Sequence, residues 1–251
     1  MENKTINKTL YSEMLNLIEN PNKERYTEYE KNLEESLKMV YNYIDEFLKQ
    51  TPDIRIWDCP RGGSDKYNWG PIVRHLLPSK LKDCDYNSLD ELVRESLRDK
   101  KVLEIGAGRS PNLLLRKHAG EYVVAELKND KREKFYQEHK IESVLFDKES
   151  QDPKEYEQFH QKLEQAGPFD IIYTDRTFFD GDCGSMNFKG YGYIPTGVYE
   201  KNCKMVLDYF KHLKNKGMAD YGSLQDDILK EASIKKIRAS QGIGIKILDE
   251  N

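Results

Sequence analysis

The sequence predicts an α/β chain: a doubly wound, mostly parallel sheet over residues 99–251, with a helical extension over residues 1–98. Three observations predict it. Short apolar runs, VLEI, EYVVAEL, SVLF and FDIIYTD, recur from Lys101 onward, with helical patterns at 111–118, 129–139 and 153–165 between them. A two-glycine turn, GAG, follows directly on the first of those runs. Before residue 99 the clear periodicity is helical.

The elements follow in chain order. A short helix is expected around Ile6 to Glu19, ended by Pro21. From Asn22 to Gln50, residues Leu33, Leu37, Val40, Ile44, Phe47 and Leu48 recur at helical spacing among acids and lysines, which predicts one long amphipathic helix ended by Pro52. Tyr41 and Tyr43 on it are read as packing residues. The stretch IWDCPRGGSDKYNWGP holds both tryptophans, and its glycines and prolines predict a shaped loop. Ser88 with Glu91 three residues on reads as a capping box for a helix through about Arg98. The alternation after Lys101 is βαβ order, so the strands run parallel, joined by right-handed crossovers, and a ligand is expected at their carboxyl ends. Near the terminus GIGIKIL reads as a strand.

Composition narrows the function classes. No apolar run approaches the ~20 residues that span a bilayer, and the start, MENKTINKTLYSEML, lacks the apolar core of a secretory signal, so a cytoplasmic protein without membrane contact is expected. Cys59, Cys84, Cys183 and Cys203 stand far apart with no metal-ligand spacing, so reduced thiols and no metal centre are expected. A net charge of -4 lacks the basic excess that accompanies phosphate-backbone binding. A small-molecule substrate is favoured, a protein next and RNA third.

The turn KVLEIGAGRSPN points to a ligand seat. Gly106 and Gly108 admit backbone angles that a side chain forbids and allow close approach to the main chain. Ser110 reads as the cap of the next helix and Pro111 as its first residue. The dinucleotide fingerprint G-x-G-x-x-G fails at Pro111. Glu104, two residues before Gly106, is placed either to receive a positively charged amine or to cap a neighbouring backbone group.

The string VLEIGAG resembles the first motif of class I S-adenosylmethionine-dependent methyltransferases, E/D-x-G-x-G, and the alternating strands over roughly residues 100–225 match that family's order. The resemblance implies a Rossmann-like catalytic domain that binds S-adenosyl-L-methionine. It implies that Glu104, Gly106, Ala107 and Gly108 line the cofactor, that Glu126 at the end of the second strand holds both ribose hydroxyls with Leu127 beside it, and that Asp147 receives the adenine amino group. Ser110 stands where many members have a third glycine. The fourth strand resembles the family's active-site strand and ends at Asp175, which also borders the cofactor. KNCKMVLDYFKHLKNK and the polar GMADYGSL resemble the family's next helix and fifth strand; of the two further strands the resemblance implies, GIGIKIL supplies one and the other is unassigned.

The loop RTFFDGDCGSMNFKGYGYIPTG mixes five glycines with five aromatics after that strand. It reads as a substrate lid in which Phe178, Phe179 and Tyr191 enclose a flat or cationic acceptor, or as a connector packed on the N-terminal helices. Asp175 and Asp180 are candidate bases and Tyr173 a positioning donor, while Asp175, Asp180 and Asp182 could alternatively hold a divalent cation. In such a family an N-terminal extension often builds the acceptor pocket, so residues 1–98 are expected over the carboxyl edge, with Trp57, Arg61, Tyr67 and Trp69 lining it or forming a satellite core. The competing class is an inactive cofactor-binding subunit that acts through its helical surface.

Overall fold

In a computed structural model the chain is described for residues 9–51, 65–79, 81, 84–107, 111–128, 130–146, 153–174, 207–221, 226–237 and 242–248. Helices α1 (Leu10–Glu19) and α2 (Lys23–Gln50) start on Thr9 and Asn22, whose side chains accept the N–H groups of Ser12 and Arg25. Along α2 the buried residues Tyr29, Leu33, Val40, Tyr43, Ile44 and Phe47 fall on one stripe, as the spacing predicts.

Helix α3 (Asp65–Leu76) runs through the second half of the expected loop and contains Pro71. Burial overrides the local propensity: Trp69, Ile72 and Val73 are at most 2% exposed, and each such side chain contributes about 1.5–3 kcal/mol. Gly70 has a packing reason as well, since a Cβ there would lie 2.5 Å from Cε1 of Tyr41 on α2. Helix α4 (Tyr86–Leu97) is capped by Asp85 instead of Ser88: Asp85 Oδ1 accepts the Ser88 N–H at 2.9 Å.

From Lys101 the strands and helices alternate: β1 (Lys101–Ile105), α5 (Leu113–His118), β2 (Glu121–Leu127), α6 (Asp130–Glu138), β3 (Glu142–Phe146), α7 (Pro153–Ala166) and β4 (Phe169–Thr174). After a short helical segment at 207–211 come β5 (Leu213–Asp220), α8 (Asp226–Glu231), β6 (Ile234–Lys235) and β7 (Ile243–Lys246). The strand order is β3-β2-β1-β4-β5-β7-β6, with β1 to β5 parallel and β7 antiparallel to both β5 and β6. The molecule is therefore α/β with a seven-stranded, mostly parallel sheet.

Two expectations are corrected here. LKNK is the start of β5, not the end of a helix. Phe169 pairs with Leu213 and Ile171 with Met218, so five residues along β5 answer two along β4, and the irregularity carries Lys216 at φ 59. The unassigned strand is β6, only two residues long.

The sheet is covered on both faces. Leu103, Ile105, Val123, Ala125 and Ile172 pack against Phe159 and Leu163 of α7, Phe210 and Leu229. On the other face Val102, Ile171, Tyr173, Met218 and Ile243 share one apolar cluster with Phe47 of α2, Val73 of α3, Val93 of α4 and Leu114 of α5. Helices α2 to α4 thus form a layer on the sheet face continuous with its core. Among the described residues no helix is long and apolar enough to cross a membrane.

Candidate functional site

Strand order reverses between β1 and β4: from β1 the chain moves to β2 and β3, then returns to the far side of β1 as β4. In open α/β sheets ligands bind outside the carboxyl ends at such a switch point. The register brings those ends level. Ile105 pairs with Ala125 on one side and Thr174 on the other, and Leu127 pairs with Phe146.

Gly106 continues the ladder by one step, donating its N–H to the Ala125 carbonyl at 2.8 Å, and then turns away at φ 70. Glycine is needed there, because that left-handed angle costs an L residue about 1–2 kcal/mol. Ala107 beyond it is buried. Glu126 follows Ala125 near the end of β2, one step beyond the Ile105–Ala125 pair, and is only 6% exposed.

Glu104 is fully buried and braces the corner from behind. Its Oε2 accepts the Asn112 N–H at 2.8 Å and also the Tyr122 hydroxyl. Of the two roles open to it, the described contacts at Oε2 are those of a backbone cap. Burial, reinforced by the Glu104 charge and its hydrogen bond, pushes the Tyr122 phenol well above its ordinary range, so the hydroxyl stays a donor. Helix α5 begins on Asn112, whose Oδ1 accepts the Leu115 N–H at 3.1 Å, so the cap lies two residues beyond the expected Ser110 and Pro111 precedes the helix. Sequence reasoning missed both Asn112 and Tyr122. The signal for Asn112 was its identity as a strong cap former directly before LLL; Tyr122 carried none, because its contact depends on how β2 registers with β1.

Two expected site residues are buried in the core. Tyr173 is fully buried, and its ring shares the apolar cluster on the N-terminal helix face. Trp69 is 2% exposed within that same cluster. Leu127 ends β2 as expected. Gly108, Asp147, Asp175, Asp180, Asp182, Phe178, Phe179, Tyr191, Trp57 and Arg61 lie outside the described residues, as does Ser110. Among the described residues no group of three or more His, Cys, Asp or Glu side chains is arranged to hold a metal ion.

No protein-family model matches the chain, and no curated protein matches it. Fold and site together define a doubly wound α/β protein with a glycine corner and a buried strand-tip acid at its topological switch point.

Proposed function

We propose that the chain is an S-adenosylmethionine-dependent methyltransferase acting on an oxygen or nitrogen nucleophile of a small molecule. The observation that carries the reading is the pairing of Gly106, at φ 70, with the buried Glu126 one register step beyond Ile105 and Ala125. Two carboxylate oxygens suit two vicinal hydroxyls, and a corner without side chains suits close contact by an amino-acid end. These residues fit an adenosyl amino acid better than a dinucleotide, whose pyrophosphate fingerprint lacks its third glycine at Pro111.

In this reading Glu126 holds the ribose, the Gly106-Ala107-Gly108 backbone lies along the amino-acid end, and Glu104 keeps that backbone in place through Asn112. Leu127 lies beside the nucleoside and Asp147, directly after β3, receives the adenine amino group. When bound, the sulfonium supplies an already activated methyl group. The protein's remaining work is to align the acceptor and remove its proton, which falls to Asp175 or Asp180 after β4.

Calorimetry with S-adenosylmethionine and with S-adenosylhomocysteine, followed by incubation with methyl-labelled cofactor and fractionated cell extract, tests the proposal. Heat of binding and label in the small-molecule fraction are expected. Binding with no label in any fraction would reassign the chain as a cofactor-binding subunit, and label in protein or RNA would change the acceptor. No heat with either compound overturns the reading.

A further inference from the structure

Asn112 carries a donor group that its structural duties do not use. Its backbone N–H goes to Glu104 Oε2 at 2.8 Å and its Oδ1 caps α5 at Leu115 N. The residue is fully buried, and its Nδ2 amide donates to no acceptor among the described residues. Buried donors in native proteins nearly always have partners, so each exception calls for an explanation such as a water or a ligand. Capping alone does not account for this one. Serine or aspartate would cap α5 as well and leave no buried amide without an acceptor. The two neighbouring hydrogen bonds also fix the side chain: Oδ1 is held by the helix, which leaves Nδ2 no share in that bond.

The ligand group that answers a neutral amide donor is an anionic or carbonyl oxygen. The Glu104 bond holds Asn112 beside the carboxyl end of β1, the end of the site where the amino-acid part of an adenosyl amino acid is expected. The Glu104 carboxylate lies directly behind Asn112 and disfavours a multiply charged anion such as a phosphate. A zwitterion meets both conditions, because its ammonium offsets the nearby negative charge while its carboxylate accepts from the amide.

We infer that Asn112 reads the ligand's α-carboxylate through its Nδ2 amide, and so makes the site specific for an intact amino-acid end. The inference rests on the adenosyl-ligand reading above and adds to it a residue and a specificity. The test is calorimetry with S-adenosylhomocysteine and its decarboxylated analogue, S-adenosyl-3-thiopropylamine, on the full chain and on Asn112→Ser and Asn112→Asp. Both variants keep an oxygen for the α5 cap, and thermal midpoints check that they fold.

The unaltered chain should prefer the carboxylated compound. Asn112→Ser should lose roughly 10- to 100-fold in affinity for it, the range for a hydrogen bond to a charged group, and keep its affinity for the analogue. Asn112→Asp, which sets one carboxylate against another, should lose more. Equal affinity of the unaltered chain for the two compounds, or an equal loss for both in Asn112→Ser, overturns the role of Asn112 and leaves the adenosyl reading standing. No binding of either compound by the unaltered chain overturns both.

Discussion

Glu104 Oε2 and the Asn112 backbone N–H meet at 2.8 Å, which ties the end of β1 to the start of α5 across the glycine corner. Replacing Glu104 by alanine leaves that N–H and the Tyr122 hydroxyl without their acceptor, each a buried donor once held by a carboxylate. A loss of about 2–4 kcal/mol in unfolding free energy is expected from urea titration. Tyr122→Phe removes one donor and keeps the other bond, so its loss should be about 1 kcal/mol. A Glu104→Ala variant as stable as the parent would show that the brace does not support the corner.

Gly106 tests the corner itself. Alanine at φ 70 is strained whatever space surrounds it, so Gly106→Ala should lower stability by about 1–2 kcal/mol. Under the proposed function it should also weaken S-adenosylhomocysteine, because a methyl group then stands where the ligand meets bare backbone. Calorimetry on the folded variant checks this. Undiminished affinity would mean that the ligand, if it binds, does not approach Gly106.

Much of this architecture was legible because burial on both faces writes itself as apolar runs. EYVVAEL coincides with β2, and α2 lies within one residue of the pattern that predicts it. What was not legible depends on partners remote in sequence. The Gly70-Pro71 pair reads as a helix breaker, yet Tyr41 fills the space beside Gly70 and the buried face of α3 holds the helix together. The start of β5 is polar because Lys214 to Gly217 belong to an irregularity, whose exposed residues carry no apolar alternation. At the site, the buried tip acid Glu126 could be placed by counting along β2. The role of Glu104 could not, since it is decided by Tyr122 on the next strand and by a helix that starts two residues later than its proline suggests.

Acid should destabilise the fold through His75. Its Nδ1 lies 2.6 Å from the Pro71 carbonyl, so Nδ1 carries the proton and Nε2 accepts from Tyr29 at 2.8 Å in the neutral ring. Burial, with the nearby Arg74 charge adding to it and outweighing the Pro71 hydrogen bond, lowers the His75 pKa to about 4. The unfolded chain binds a proton near pH 6.5, so it holds more protons than the native state between that pH and about 4. Stability is therefore unaffected by His75 above pH 6.5 and falls as pH drops, by about 3 kcal/mol once pH 4 is reached. His160, also lowered to about 4 chiefly by burial, adds to the slope. Urea unfolding from pH 7 to pH 4 should show His75→Gln losing about one proton's worth of this dependence. An unchanged slope would remove His75 from the account.

Glu126 gives the sharpest test of the function. The residue is buried at the strand tip, one step past the Ile105–Ala125 pair. A carboxylate that accepts two ribose hydroxyls makes charge-assisted bonds, so Glu126→Ala should weaken S-adenosylhomocysteine by about 1–3 kcal/mol. Glu126→Gln separates charge from shape. Its amide offers one acceptor oxygen and a donor where two acceptors stood, so it should recover only part of the loss, and 2′-deoxyadenosyl analogues should discriminate between parent and variant less than the ribosyl ligand does. If Glu126→Ala folds and binds S-adenosylhomocysteine as the parent does, the strand-tip acid is not the ribose contact, and the argument from the corner to an adenosyl ligand loses its main support.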